Sequence, residues 1–321
     1  MKIAIIRLSA LGDIVHTSII IQFIKRHFKD AKISWFVDEK FSSIVHLLDG
    51  VEVIALPLKD KKFTKSFKII KEFSGNFDLI IDFQGLIKSA LVARVLGNNI
   101  AGFDKSSIKE PLASIFYKSK FKIDYNENII RRNLALAGFA LGFEFSDDDI
   151  IQKSTCFISD IEPKSSKTIL IAPFASEPSK CYDKFNEVIN LLKDYEINII
   201  SANAKEYDLA SKIAYNTHAK VLSPMSLAKV VDFMQSVGLV IGNDSGITHL
   251  AWAQNRASIT LFGNRPSSRN SFTTSINHTI DTGKKIDARN IDKSDYCINE
   301  ISPSSIANLA KNILNPELLN G

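Results

Sequence analysis

The chain has 321 residues, 45% of them hydrophobic and 23% charged, with a formal net charge of +5. That length exceeds one ordinary hydrophobic core and predicts two domains, and the balance excludes a disordered chain. The positive excess is mild and spread along the sequence, so it suits an anionic ligand or surface and gives no support to nucleic-acid binding.

In chain order, residues 3–6 read as a strand, and Ile14, Thr17, Ile21, Ile24 and Phe28 recur at helical spacing over residues 13–28. A strand at 33–37, a helix at 41–48 and a strand at 51–56 follow. A lysine-rich helix then precedes a strand at 79–83 and a helix at 86–96. The run 146–149 and the polar stretch 161–167 flank few apolar residues and read as an interdomain link. The alternation restarts with strands at 168–173, 197–201, 239–241 and 258–262. Helices are expected at 182–192, 206–215, 227–237 and 246–253. A last helix, 302–314, has Ser302 as N-cap and Pro303 in its first turn.

Short apolar strands separated by amphipathic helices indicate an α/β protein with parallel sheets covered on both faces. Two such halves predict two Rossmann-like domains facing each other, over residues 1–150 and 167–300. Residues 151–166 form the linker, and residues 301–321 a terminal helix packing back on the first domain. Ligands of such sheets bind outside the carboxyl ends of the strands, where the motifs should fall.

Cys156, Cys181 and Cys297 are far apart and odd in number, which fits neither a disulfide framework nor a metal-ligand spacing. They read as reduced thiols of a cytoplasmic protein. The start, Met1 to Arg7, resembles a buried strand and not a secretion signal, and no run of about twenty apolar residues offers a membrane span. Any membrane association is therefore expected to be peripheral.

Two segments carry chemistry. Ser9-Ala10-Leu11-Gly12-Asp13 joins the first strand to the first helix. Gly12 permits a tight turn, and Asp13 sits where the helix dipole favours a carboxylate, so taken alone it reads first as a helix cap and second as a base. The loop has neither the Gly-Lys-Ser/Thr of a P-loop nor a dinucleotide fingerprint, which removes the main support for a hydride-transfer enzyme or epimerase. The second segment, Gly242-Asn243-Asp244-Ser245-Gly246-Ile247-Thr248-His249, follows a strand and opens a helix. Backbone N–H groups from Gly246 onward suit a diphosphate; the plain alternative is a turn capped by Asp244 or Ser245. His249, one turn in, reads first as a packed or hydrogen-bonded histidine.

Together these segments resemble the heptosyltransferase family, glycosyltransferase family 9. The likeness runs along most of the chain. It includes Ser9 to Asp13, the stretch Asp82-Phe83-Gln84-Gly85-Leu86-Ile87-Lys88-Ser89-Ala90, Gly102-Phe103-Asp104, Glu110 to Ala113 with Phe116-Tyr117, and Asp244-Ser245-Gly246 with Thr248-His249. The 82–90 and 102–117 segments favour enzymes that add the first heptose of the lipopolysaccharide inner core over those that add the second.

The resemblance implies GT-B architecture, with a first domain that binds the acceptor and a second that binds the donor across a cleft. It implies ADP-L-glycero-D-manno-heptose as donor, Kdo-lipid A as acceptor, inversion at the anomeric carbon, no cofactor, and peripheral contact with the cytoplasmic face of the inner membrane. Asp13 takes the place of the family's base, and Lys180 that of a lysine on the donor phosphates. Ser9, Gly12 and Gln84 fall at the acceptor, as does a basic cluster, Lys59, Lys61 and Lys62, suited to its carboxylates and phosphates. Ser176, Glu206, Met225, Asp244, Ser245, Gly246, Thr248 and His249 fall at the donor. Asp208 is the alternative to Glu206 on the ribose. Ala175 replaces a hydroxyl residue, and Phe262-Gly263-Asn264-Arg265-Pro266 departs from the family's usual loop.

In the mechanism this implies, Asp13 takes the proton of the acceptor hydroxyl as it attacks. Lys180 and the N–H groups at Gly246–Thr248 stabilise the departing ADP in place of a metal. No Asp-x-Asp motif occurs in a donor-binding context, since the acidic run 147–149 lies in the expected link. A two-domain sugar-binding protein is the non-catalytic rival, but such proteins are usually exported and the expected signal is absent.

Overall fold

The computed structural model describes residues 1–58, 63–164 and 166–315. The chain divides into two compact units, Met1–Ile158 and Ser159–Gly321.

The first unit alternates β1 (Lys2–Ile6), α1 (Leu11–Ser18), α2 (Ile20–His27), β2 (Lys32–Asp38), α3 (Ser42–Val45), β3 (Val51–Leu56), α4 (Phe63–Glu72), β4 (Leu79–Asp82), α5 (Ile87–Leu96) and β5 (Ile100–Phe103). β6 (Ser119–Phe121), α6 (Ile129–Leu141) and α7 (Asp147–Ile151) complete it. Its six strands pair in parallel in the order β3-β2-β1-β4-β5-β6. Ile3 to Ile6 of β1 and Ile33 to Val37 of β2 are buried throughout, because helices cover both faces of the sheet.

The second unit runs β7 (Ile169–Ala172), α8 (Phe185–Leu191), β8 (Ile197–Ile199), α9 (Ala204–Ala214), β9 (Lys220–Val221), α10 (Leu227–Met234), β10 (Leu239–Asn243) and α11 (Gly246–Ala253). β11 (Ala257–Phe262), α12 (Ser267–Asn270), β12 (Asn277–Asp281) and α13 (Pro303–Leu314) follow. Its strands are also parallel, in the order β12-β11-β10-β7-β8-β9. Numbered within its own unit, each sheet therefore has the strand order 3-2-1-4-5-6 of a Rossmann sheet. The order reverses between β1 and β4 in one and between β7 and β10 in the other. Those are the two places where such a fold opens a crevice beyond its strand ends.

Several elements differ from the sequence expectation. The helix expected over 13–28 is two helices meeting at Ile19. Thr17 Oγ1 and Ser18 Oγ donate back to the carbonyls of Asp13 and Val15, each at 2.7 Å, and such back-bonding bends a helix. The expected helix at 41–48 is reduced to α3 after a short 3-10 turn, Glu39–Phe41, capped by the Asp38 carboxylate. Gly12, expected in a tight turn, lies inside α1; the left-handed glycine near this site is Gly85, at φ +66°.

The acidic run 147–149 opens α7, capped by Ser146, with Arg131 on Asp147 at 2.8 Å and Arg26 on Asp149 at 2.7 Å. The expected linker is tied down at both ends. Gln22 bonds Ser154 in both directions and Ile158 N donates to Leu47 O, while Ser159 Oγ donates to Asp232 at 2.7 Å. The last helix belongs to the second unit. Ile306, Ala307 and Ala310 of α13 are built into the second unit's core beside Phe185, Val188 and Ile189, because its apolar face completes the cover over α8, β10 and β11.

Candidate functional site

At the first switch point the chain leaves β1 through Arg7, a cation placed after a run of buried isoleucines. Arg7 is 4% exposed, and its guanidinium has two fixed partners: Nη1 donates to Phe83 O at 2.5 Å and Nη2 pairs with Asp13 Oδ1 at 2.9 Å. The Asp13 carboxylate is itself half-exposed, at 46%, in the first turn of α1. Its other oxygen lies 3.4 Å from the amide of Ala10, a weak capping contact. One carboxylate oxygen is thus anchored from below while the group faces solvent, an arrangement suited to accepting a proton. The sequence reading did not single out Arg7; a cation ending an apolar strand was the available signal.

The loop after β4 supports this arrangement. Gln84 Oε1 accepts from Leu8 N at 2.8 Å, so this residue ties the two loops together and does not hang free. Asp82, wholly buried, accepts from Gln84 N (2.9 Å), Gly85 N (3.3 Å), Ser89 Oγ (2.8 Å) and Tyr117 OH (2.6 Å). Burial pushes its pKa above the ordinary value, and the four donors pull back against that. The same burial, with the Asp82 charge beside it, pushes the Tyr117 phenol upward. Gly102 makes room for this contact, because a Cβ there would strike the Tyr117 ring. Ser9 is half-buried in the loop beside them. Lys59, Lys61 and Lys62 lie outside the described residues.

At the second switch point, Gly242 lets β10 approach β7; a Cβ would sit 2.5 Å from Ala172 O and 2.7 Å from Ala172 Cβ. Asn243, fully buried, then bridges the two strand ends, donating to Pro173 O at 2.6 Å and accepting from Tyr182 N at 3.1 Å. Asp244 follows, 5% exposed, between Lys180 Nζ at 2.7 Å and His249 Nε2 at 2.9 Å. Burial alone would raise its pKa, but Lys180 and His249 outweigh that and hold it well below the usual carboxylate range. Lys180 is therefore no solvated surface lysine: its side chain is 16% exposed. Its three donors leave capacity beyond the one spent on Asp244.

Gly246 starts α11, whose first N–H groups lack intrahelical partners by construction. Thr248 Oγ1 donates to Asn243 O at 2.8 Å and accepts from Ser245 N at 3.3 Å, so its hydroxyl serves the turn. His249 is spent on Asp244 in the same way.

Ser176 is exposed in the loop after β7, and Met225 is half-buried just before α10. Glu206 Oε2 accepts from Ala202 N at 2.8 Å while Asn203 Oδ1 caps the N–H of Glu206, so this carboxylate closes the start of α9; Asp208 is exposed further along that helix. Sequence reasoning missed a second ion pair at these strand ends. Arg265, from the loop after β11, reaches Glu177 in the loop after β7 at 2.8 Å, and Lys293 reaches the same carboxylate at 3.3 Å. Among the described residues, no three His, Cys, Asp or Glu side chains are gathered so as to hold a metal ion, and no helix is long and apolar enough to cross a membrane.

Comparison with known proteins gives a consistent result. Residues 66–294 match the family "Glycosyltransferase family 9 (heptosyltransferase)". The chain is 43% identical to lipopolysaccharide heptosyltransferase 1 of Campylobacter coli, over 99% of this chain and all of that protein. It is 26% identical to lipopolysaccharide heptosyltransferase 1 of Escherichia coli K12, over 82% of this chain and 88% of that one. Among solved structures, E. coli heptosyltransferase WaaC with ADP superposes with a TM-score of 0.82 at 21% identity, covering 98% of this chain and 100% of that one. E. coli ADP-heptose lps heptosyltransferase II gives 0.74 at 18% identity, covering 99% of each. These structures share the fold of this chain, two parallel six-stranded sheets of Rossmann type, the GT-B class.

Proposed function

Since the chain belongs to glycosyltransferase family 9, the heptosyltransferases, we propose that it moves a heptosyl group from ADP-L-glycero-D-manno-heptose to Kdo of Kdo-lipid A. The anomeric centre inverts, and Asp13 acts as the base. One observation carries this reading: a half-exposed Asp13 carboxylate lies at a strand-order switch point, fixed by the buried Arg7. The relatives' names, lipopolysaccharide heptosyltransferase 1, support the first heptose over the second. A related structure with ADP-2-deoxy-2-fluoro heptose supports the nucleotide sugar.

The Kdo hydroxyl is a weak nucleophile until its proton has somewhere to go. Asp13 accepts that proton as the oxygen attacks the anomeric carbon; the bond to the diphosphate breaks on the opposite face, and ADP leaves with the bonding electrons. Lys180 and the N–H groups at Gly246 to Thr248 meet the growing charge, with Ser176, Ser245 and Asp244 around them. Glu206 takes the ribose and Met225 the adenine; Ser9, Gly12 and Gln84 line the acceptor side. A lipid-borne acceptor makes the enzyme peripheral to the cytoplasmic face of the inner membrane.

The test is a mass-spectrometric transfer assay with Kdo-lipid A and its monoheptosylated form in parallel. Asp13→Asn should retain donor binding and lose turnover by on the order of a hundred- to ten-thousand-fold. Near-normal turnover would leave Asp13 a helix cap. Preference for the monoheptosylated acceptor would assign the second heptose.

A further inference from the structure

Directly after the acceptor loop, α5 begins at Ile87, and the residues on its outer side are not those of a solvated helix. Ile87 and Leu91, one turn apart on one face, are 38% and 49% exposed. Against α5 packs a six-residue 3-10 helix, Pro111–Phe116, joined to its start by Glu110 Oε2, which accepts from Ile87 N at 2.7 Å. In a 3-10 helix residues three apart eclipse, so Leu112 and Ile115 stand on one side of it; they are 61% and 68% exposed. Two adjoining elements thus each turn a pair of large aliphatic side chains to solvent, which scattered surface leucines do not do.

The rim of this apolar face is predominantly basic. Exposed Lys88 lies on α5, Lys109 just before the 3-10 helix and Lys118 just after it, and Lys105 on a short turn packed against it. Residues 84–122 hold seven Lys or Arg against two acidic residues. One of the two, Glu110, is turned onto the amide of Ile87, and the other, Asp104, caps its own turn. The charge of the face is therefore cationic in effect. A second copy of the chain would bring the same lysines against themselves; an anionic surface with an apolar interior matches both the rim and the centre.

We propose that Ile87, Leu91, Leu112 and Ile115 form a docking face that seats in an anionic bilayer, with Lys88, Lys105, Lys109 and Lys118 on the lipid headgroups. This inference rests on the reading of a lipid-borne acceptor and adds where the protein meets that lipid. Gln84 and Gly85 lie immediately before α5, so the face stands beside the acceptor loop, and docking presents that loop to a sugar headgroup at the membrane surface.

The test is sedimentation with phosphatidylcholine vesicles, with and without phosphatidylglycerol, for the full chain and for Leu112→Ser with Ile115→Ser. Lys105→Glu with Lys109→Glu serves as an independent charge variant. The wild-type protein should bind only the anionic vesicles, and each double variant should bind about tenfold less or weaker still at unchanged Tm. Transfer to vesicle-embedded Kdo-lipid A should fall in parallel, while transfer to a deacylated, soluble Kdo acceptor stays at the wild-type rate. Undiminished vesicle binding by the serine variant would overturn the proposal. So would a wild-type dimer that the same substitutions convert to monomers. Vesicle binding that depends on the patch, in a protein that transfers to neither acceptor, would uphold the docking face and remove the acceptor assignment.

Discussion

Removing one oxygen at Tyr117 tests how the loop after β4 is held. Tyr117→Phe keeps the ring that fills the space left by Gly102 and deletes only the 2.6 Å hydrogen bond to Asp82. The carboxylate keeps Ser89 and two loop amides but stays wholly buried. A hydrogen bond to a buried charged group contributes about 1.5–3 kcal/mol, and in a unit of this size that corresponds to a fall in Tm of roughly 3–12 °C.

The sign of the pH dependence follows from the direction of the Asp82 shift. Its folded pKa lies above the ordinary 3.8, so stability from this group is greatest below that value and declines as pH rises through the folded value. The phenol favours the carboxylate form, so its loss should cost more at a pH above the folded pKa than at a pH below 3.8, where the carboxyl is protonated. Melting curves at both pH values measure this. Turnover should fall as well, because Phe83 O and Gln84 hold Arg7 and Leu8. An unchanged Tm at both pH values would refute the view that Asp82 and Tyr117 brace the loop.

Lys180→Ala breaks an almost buried pair with Asp244 and should cost about 3–5 kcal/mol as well as raising KM for the donor; calorimetric titration with ADP separates the two effects. Asp244 has a folded pKa below 3.8, so its stabilisation is present above that pH and lost on acidification, and the variant should show a shallower acid-side loss of Tm. Turnover should survive EDTA if, as proposed, Lys180 and the start of α11 take the role of a cation at the diphosphate. Loss with EDTA and recovery with magnesium would contradict this.

Much of the architecture was legible because strand and helix periods are local. α11 begins and ends where the spacing places it, and Pro303 marks the start of α13. β5 and β6 were not legible: Ile-Ala-Gly-Phe and Ser-Lys-Phe are too short to declare themselves and become strands only beside β4. Of the site, Asp13, Lys180 and Asp244 were visible as residues, but their couplings were not. Arg7 meets Asp13 across one loop, and Lys180 meets Asp244 across 64 positions; neither pairing has a sequence period. The capping bonds of Glu206 and Thr248 were not legible either, because they depend on backbone geometry that the residue types alone do not specify.

The anchoring of Asp13 by Arg7 also bears on selectivity. A surface aspartate ordinarily samples several rotamers and offers either oxygen to whatever arrives. Here Oδ1 is held by Arg7 from the protein side, which restricts the rotamers of the group, while Oδ2 has only the weak contact to Ala10 N. If Asp13 is the base proposed above, this anchoring narrows the approach of a sugar hydroxyl, and Arg7→Ala should loosen the choice of hydroxyl as well as slow turnover.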